Sequence, residues 1–528
     1  LWRSNDKGEN WYCLSKALPV GEVYALEIDP TDEDVVYFSG AGTLYKSTDG
    51  GATHTDIGAG EFSDGISIKE IMIHNEKLWV ASDQGLYFST NNGTSFTQNQ
   101  SGNWLEMEVH PTNNQVLYAV KQNSTSTSFF KSTNNGASFS EIGIGWPSPE
   151  GEEEQKRTEI AVSAAAPNKI VALATGSANG GTGLYGVYVS EDQGENWEFK
   201  CCGNQPAGVA TSSNINMMGW SDEGTDDGGQ YYYDLALAVN PEDANIIHVA
   251  GVQHWISTDG GNTFTCPAKW SHPDKDEYIH ADIHDMRYFE NDLWVACDGG
   301  VFYSNNAGEN FDKKMFGISG TDFWGFGAGF SDGEVMLGGT YHNGTLIKDH
   351  DVYQGGWICA EGGDNYRGFV NFADATKVYT DAGGRTLSGD RTVELGSFAM
   401  QYKPNASYTI GESSNLEFDP QSPNILYIGN ETTLYKSYDN GASTTALYDF
   451  GEKVTSVEVA WSNPNYIYVA TFEGWWETKK IYKSTNAGES WEDITPDPST
   501  INNQVWIPFD ITISSENENH LWIVRTSM

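Results

Sequence analysis

Apolar and polar residues alternate along most of this chain in short runs, and the runs come in pairs. Val23–Pro30 is followed by Val35–Phe38, Leu105–Pro111 by Val116–Val120, Leu235–Pro241 by Ile246–Ala250, and Leu416–Pro420 by Ile425–Ile428. Alternation with period two predicts strands, and the turn residues between the paired runs predict a reversal. A third run such as Leu44–Ser47 or Leu434–Ser437 follows, then a turn motif, then a fourth strand. Each unit therefore reads as strands A, B, C and D, and the regular spacing is 42 to 47 residues. One four-stranded sheet per repeat of that length predicts an all-β β-propeller.

The turn motif occurs nine times: Ser, any residue, Asp or Asn, any residue, Gly, two residues, then usually an aromatic. Its Asp/Asn and Gly positions are Asp6/Gly8, Asp49/Gly51, Asn91/Gly93, Asn134/Gly136, Asp192/Gly194, Asp259/Gly261, Asn306/Gly308, Asp439/Gly441 and Asn486/Gly488. The closing residue is Trp or Phe in seven copies, with His54 and Thr444 in the other two. The acidic or amide side chain is expected to bond backbone amides about two residues on. The glycine supplies the positive φ of a C–D hairpin turn.

Two spacings are longer, 58 from Ser132 to Ser190 and 67 from Ser190 to Ser257. The excess falls in Gly145–Arg157 and Cys201–Gly229. Insertions of this kind map to loops on one face, often the working face. The boxes fade between Phe311 and Ser437, where two degenerate blades fit, Trp324–Gly362 and Tyr366–Tyr402. With them the chain holds eleven A–B pairs. Seven boxes fall between Ser4 and Phe311, so the preferred organisation is two seven-bladed propellers in tandem. The first covers residues 1–320, and the second, incomplete, covers 321–528. The alternative is one ten- or eleven-bladed ring. The chain opens on a C strand and finishes on an A–B pair, and it has neither an initiator Met nor a signal peptide. It is therefore expected to be a mature product or a fragment.

Net charge changes the functional picture more than the fold. The chain of 528 residues carries a formal charge of -44. Phosphate backbones would be repelled, which excludes nucleic acid as a partner. Nothing is long and apolar enough to span a bilayer as a helix. Six cysteines without a CxxC pair argue against a zinc knuckle and leave room for one or two disulfides of unspecified pairing.

The nine boxes resemble the BNR/Asp-box repeats of sortilin-type receptors, sialidases and xyloglucan-degrading glycoside hydrolases. The chain resembles more closely still the large secreted, sortilin-like proteins common in marine Bacteroidetes. Gly228–Pro241 (GGQYYYDLALAVNP), Tyr278–Asp285 (YIHADIHD), Cys297–Ser304 (CDGGVFYS) and Gly338–Thr345 (GGTYHNGT) also carry that resemblance. It implies an extracellular protein, secreted or on the cell surface, that presents face loops to a polysaccharide or protein ligand. The xyloglucanase-like branch implies instead a glycoside hydrolase, or a polysaccharide lyase, working in a cleft between two propellers. Such hydrolases use two facing Asp residues. Here Tyr341-His342-Asn343-Gly344 stands where the relatives usually carry Gln-Asp-Asn-Gly. Asp364 is the remaining candidate acid, with a turn aspartate as the alternative.

Strand alternation would put His280, Asp282 and His284 on one face. With Asp298 they form a binding, acid/base or metal candidate, or else a polar lining of the central channel. His342 and the adjacent Trp475 and Trp476 are further binding candidates, and Trp220, Trp324 and Trp357 are loop aromatics able to stack on sugar rings. The acidic insertion Ser221–Gly229 offers Asp222, Asp226 and Asp227 to calcium. No cofactor is required by any motif. There is no phosphate loop, nucleophile elbow or zinc-protease motif.

Overall fold

Each blade is an antiparallel sheet whose strands pair in the order in which they leave the chain. The computed structural model describes all residues except 15–22, 41, 59, 63–64, 179–180, 204–213, 273–274, 319, 322, 341–342, 350–355, 362, 364, 366, 381–382, 389–390, 398–415, 473–478, 497–505 and 528. Among the described residues there are ten four-stranded sheets, two two-stranded ones and no helix. No helix is therefore long and apolar enough to cross a membrane. The eleven expected A–B pairs are present, including those of the two degenerate blades, led by Phe323–Ala328 and Phe369–Val370.

The chain divides into two compact units, Leu1–Ser319 and Gly320–Met528. The first holds six four-stranded blades, whose A strands are Leu26–Asp29, Ile68–His74, Asn103–Val109, Glu154–Val162, Ala236–Val239 and Ile283–Phe289. It also holds the hairpin Trp2–Arg3 and Tyr12–Cys13. The second unit holds four such blades and the pair Trp506–Ser514 and Asn517–Ser527.

All nine boxes share one geometry. The glycine amide donates to the serine hydroxyl at 2.8–2.9 Å. That hydroxyl donates in turn to the Asp or Asn side chain at 2.7–2.9 Å. The same side-chain oxygen accepts the amide four residues on, as in Thr53 to Asp49 at 2.8 Å and Ser138 to Asn134 at 3.0 Å. The sequence expectation of a reach of about two residues is corrected here. Two consecutive residues adopt positive φ, such as Asn135 at 55° and Gly136 at 74°, and this winds the chain back so that the carboxylate spans four residues.

Most box glycines face the preceding blade. A Cβ on Gly136 would lie 2.3 Å from the Trp79 ring, and one on Gly194 would lie 2.1 Å from Phe129. The same relation places the N-terminal hairpin in the ring. A Cβ on Gly8 would lie 3.1 Å from Trp294 of the sixth blade, and one on Gly51 of the first blade 3.2 Å from Leu14 beside the hairpin. Backbone and indole N–H groups of Trp11 also donate to the Phe316 and Lys314 carbonyls. The first unit is thus a ring of seven positions, six filled by complete blades and one by the hairpin.

Inner strands are stitched to one another by carboxylates. Glu27 accepts the Ile73 amide at 3.5 Å, Glu70 the Met107 amide, and Glu106 the Ile160 amide at 2.7 Å. In the second unit Glu458 accepts the Ile513 amide at 3.3 Å. A register shift falls just ahead of Glu70 and of Glu106, and such bulges re-aim the side chain that follows. Around the axis of the first unit burial raises the pKa of Glu27, Glu70 and Glu106, and lifts Glu108 and Glu159 to about 7. Arg287 lies between Asp285 at 3.0 Å and Glu27 at 3.7 Å.

Two predictions follow from this frame. Gly136→Ala should lower unfolding stability by about 2–4 kcal/mol, since it combines positive φ with a clash against Trp79; urea denaturation measures it. The second concerns pH. Raised carboxylate pKa values stabilise the fold fully below about 4.5, and that contribution is lost as pH rises through about 7. The buried pair His248 and His254 works in the opposite sense. Burial lowers both pKa values, His254 to about 4, so their contribution is full above about 6.5 and falls away toward 4. The carboxylates outnumber the histidines, so calorimetry should show the first unit melting higher at pH 5.5 than at 7.5. Glu108→Gln with Glu159→Gln should flatten that difference.

Candidate functional site

Because all pairings are antiparallel, boxes and A–B turns lie at one end of each blade. B–C turns and blade-to-blade connections lie at the other. The long connection from Cys201 to the A strand Ala236–Val239 therefore rises on the face opposite the boxes. Composition alone predicts a flexible acidic loop there, but the described part is pinned. Asn216, almost fully buried, accepts the amides of Leu184 at 3.0 Å and Met218 at 3.2 Å. Its amide group donates to the carbonyls of Asp226 and Gly228, each at 3.0 Å. Met217 and Met218 enter the core with Cys201 and Cys202, which form a vicinal disulfide.

The connection ends in Gln230, Tyr231, Tyr232, Tyr233 and Asp234, beside the B–C turns of the fifth and sixth blades. Arg157 holds this segment by donating to the backbone carbonyls of Leu235 at 3.1 Å and Tyr233 at 3.5 Å. The Gln230 amide donates to Asp234 at 3.1 Å and to Asp282 at 2.6 Å. Both aspartates are buried. Burial and the neighbouring Asp282 charge lift Asp234 to about 7. Asp234 therefore carries a proton for much of the time near neutrality and Asp282 faces it as the second carboxylate.

A second network lies beside the first. His284 is 2.7 Å from Asp298, and the Tyr233 hydroxyl donates to both Asp298 oxygens at 2.9 and 3.0 Å. The Tyr233 and His284 rings meet edge to face at 4.8 Å. Burial works against the charged form of each group, but the hydrogen bond and opposite charge prevail. His284 is accordingly raised and Asp298 lowered. Burial, then the Asp298 carboxylate, raise the Tyr233 phenol.

Tyr232, Tyr233, Trp220 and Trp270 are exposed around these groups. The Trp220 carbonyl accepts from Gln253 at 2.8 Å and from the Trp270 indole at 3.4 Å. The Val252 carbonyl, next to Gln253, accepts the Asp282 amide at 3.2 Å. Four aromatic rings and two carboxylate networks thus share one stretch of face.

Of the residues expected from sequence, Asp282, His284 and Asp298 come together here, but not as a three-residue strand face. Asp282 adopts φ +62°, and the strand begins only at Ile283. The reversal turns Asp282 inward beside Gln230 and leaves His284 exposed. His280 contacts the Ala281 carbonyl at 3.1 Å and lies against Gly299. Among the described residues no group of three or more His, Cys, Asp or Glu is placed to hold a metal ion. Asp222 is spent on Lys269, Asp226 accepts the Ser221 amide, and the Asp227 carbonyl accepts the Thr182 amide at 2.9 Å. His342, Asp364, Trp475 and Trp476 lie outside the described residues. Gln230, Tyr232, Tyr233, Asp234 and Trp270 were missed as site residues. All but Trp270 fall in GGQYYYD, a stretch already conspicuous beside YIHADIHD.

Comparisons with known proteins bear on the fold. No family model matches the chain, and no curated protein matches it in sequence. Among solved structures, PorZ, a bacterial surface component of the type-IX secretion system of Porphyromonas gingivalis, is similar. It has 12% identity and a TM-score of 0.51, over 90% of this chain and 60% of that one. A GH74 enzyme of Niastella koreensis matches over 97% of this chain and 91% of its own, with 15% identity and a TM-score of 0.42. The GH74 xyloglucanase of Xanthomonas campestris matches over 90% and 78%, with 14% identity and a TM-score of 0.38. The chain shares the β-propeller fold.

The geometry makes one electrostatic prediction. Asp298→Asn removes the charge and acceptor that hold the His284 proton, leaving burial as the main influence. The His284 pKa should then fall below the ordinary histidine value, as followed by NMR titration of the ring protons.

Proposed function

We propose that this chain is an extracellular glycan-binding propeller whose ligand lies on the first unit, on the face opposite the boxes. The observation that carries the reading is the exposed group Trp220, Tyr232, Tyr233 and Trp270 beside hydrogen-bonding carboxylates. Sugar rings present apolar C–H faces and a rim of hydroxyls. Exposed aromatic rings suit the first, and an ionised carboxylate such as Asp298 suits the second. The vicinal disulfide fits an oxidising compartment.

The ligand is a neutral polysaccharide. Asp298 is held ionised, and the whole chain is strongly acidic, so uronate or sulfate polymers would be repelled. Binding is favoured over hydrolysis on this face because Asp234 and Asp282 are buried and joined through Gln230. A glycosidase needs two carboxyl groups open to the substrate, about 5–10 Å apart.

Isothermal titration against a panel of neutral and acidic polysaccharides tests this. A neutral polymer should bind, and Tyr233→Ala and Trp220→Ala should each weaken it about tenfold, equivalent to about 1.4 kcal/mol. Preference for acidic polymers, or equal binding by the variants, would remove this face from the function. Release of reducing sugar abolished by Asp282→Asn would replace binding with catalysis.

A further inference from the structure

The segment that carries Tyr232 and Tyr233 meets the scaffold beneath it at two carboxylates. Gln230 closes the segment on itself, because its carbonyl accepts the Tyr233 amide at 2.7 Å and the Asp234 amide at 3.2 Å. Asp282 is fixed independently. Its amide donates to the Val252 carbonyl at 3.2 Å, in the B–C turn of the fifth blade. Its carbonyl accepts the Asp298 amide at 3.1 Å, in the B–C turn of the sixth.

The side-chain amide of Gln230 bridges the two acids, reaching one Asp234 oxygen at 3.1 Å and Asp282 at 2.6 Å. The other Asp234 oxygen is buried and receives no hydrogen bond among the described residues. Its hydrogen-bonding neighbour is the Asp282 carboxyl. Two carboxyl groups bond to each other only through a proton, so one acid of the pair keeps its proton while the segment is closed.

We propose that Asp234 and Asp282 are positioning residues, a latch closed by one shared proton that holds Tyr233 against Asp298. With both carboxylates ionised, like charges meet in a buried place, and the arrangement of lower energy swings one of them out into water. Asp282 is held by two turns, so the part that moves is the 230–234 segment. Tyr233 then leaves Asp298, and the aromatic and carboxylate halves of the face separate. Where the face takes a glycan, the latch regulates its binding; that consequence rests on the glycan reading proposed above.

The surrounding groups do not replace the proton. The Asp298 charge is offset by His284 and His280. Arg157 is engaged with Glu159 at 2.8 Å and with the Tyr233 and Leu235 carbonyls. The Tyr233 phenol and the Cys297 thiol, both neighbours of Asp282, are pushed up by burial and stay neutral. Burial, and after it the Asp282 charge, raise Asp234 from 3.8 to about 7. Closure is therefore most favoured at and below about pH 4, weakens as pH rises, and levels off above about 7.

Hydrogen exchange read by mass spectrometry on the full chain without ligand tests the latch. After correction for intrinsic rates, residues 230–235 should be at least about tenfold better protected at about pH 5 than at about pH 7.5. In Asp234→Asn the side-chain amide donates to Asp282 in place of the proton, so protection should be equal at the two pH values. In Asp234→Ala it should be low at both. The strand Asn103–Val109 should exchange alike in all three proteins at each pH, which shows that the variants are folded. A wild-type profile that is flat with pH overturns the proposal by itself. A fall of the same size throughout the first unit that persists in Asp234→Asn also overturns it, and assigns the response to the axial carboxylates. The expected exchange pattern in a chain that binds no polysaccharide upholds the latch and removes the glycan reading, so the two fail separately.

Discussion

A single serine hydroxyl in each boxed blade holds this architecture together. It accepts the amide of a glycine four residues on and donates to the Asp or Asn between them. Two successive residues are thereby fixed in the left-handed region, a conformation the chain would otherwise resist. The turn does more than reverse the chain. It presents a glycine with no side chain to the preceding blade, so that Trp79, Phe129 or Trp294 can close against backbone. Local hydrogen bonding is in this way converted into blade-to-blade packing, and the ring is built by repeating the conversion.

That coupling explains why the blades were so legible. Ser, Asp/Asn, Gly and an aromatic at fixed spacing are the residues the turn chemistry demands, and period-two alternation marks the strands between. Even the degenerate blades led by Phe323–Ala328 and Phe369–Val370 kept enough alternation to be found without a box. The candidate site was only half legible, and for a physical reason. Alternation assumes an unbroken strand, and it paired His280, Asp282 and His284 on one face. The positive φ at Asp282 breaks the strand, and no pattern of residue types announces a left-handed aspartate. Likewise, Ser221–Gly229 reads as a flexible acidic loop because composition is blind to Asn216, a single buried amide that ties the segment to its neighbours.

The same limits apply to charge. A net charge of -44 describes the surface, yet the carboxylates with the most consequence are withdrawn from it. Glu27, Glu70 and Glu106 serve as acceptors for the next inner strand, which burial makes costly in the ionised form and tolerable when a proton is retained. Asp234 is in a related position on the face opposite the boxes, where Asp282 is the nearby charge. Acidity in this protein is thus divided between a strongly acidic exterior and a partly protonated interior that joins blades.

The candidate site lies where the repeat is most disturbed, and the disturbance is what makes a site there. A regular blade offers its upper face only a short B–C turn and a short connection, too little to surround a ligand. Lengthening one connection brings Gln230, Tyr232, Tyr233 and Asp234 over the fifth and sixth blades, and Arg157 clamps their backbone in place. The left-handed Asp282 then turns inward to meet Gln230, which frees His284 to pair with Asp298 at the rim. Each departure from the repeat costs local order, and each is offset by a named hydrogen bond to the regular scaffold beneath. A propeller can carry such a face because the boxes at its opposite end keep the blades in register, whatever is built above them.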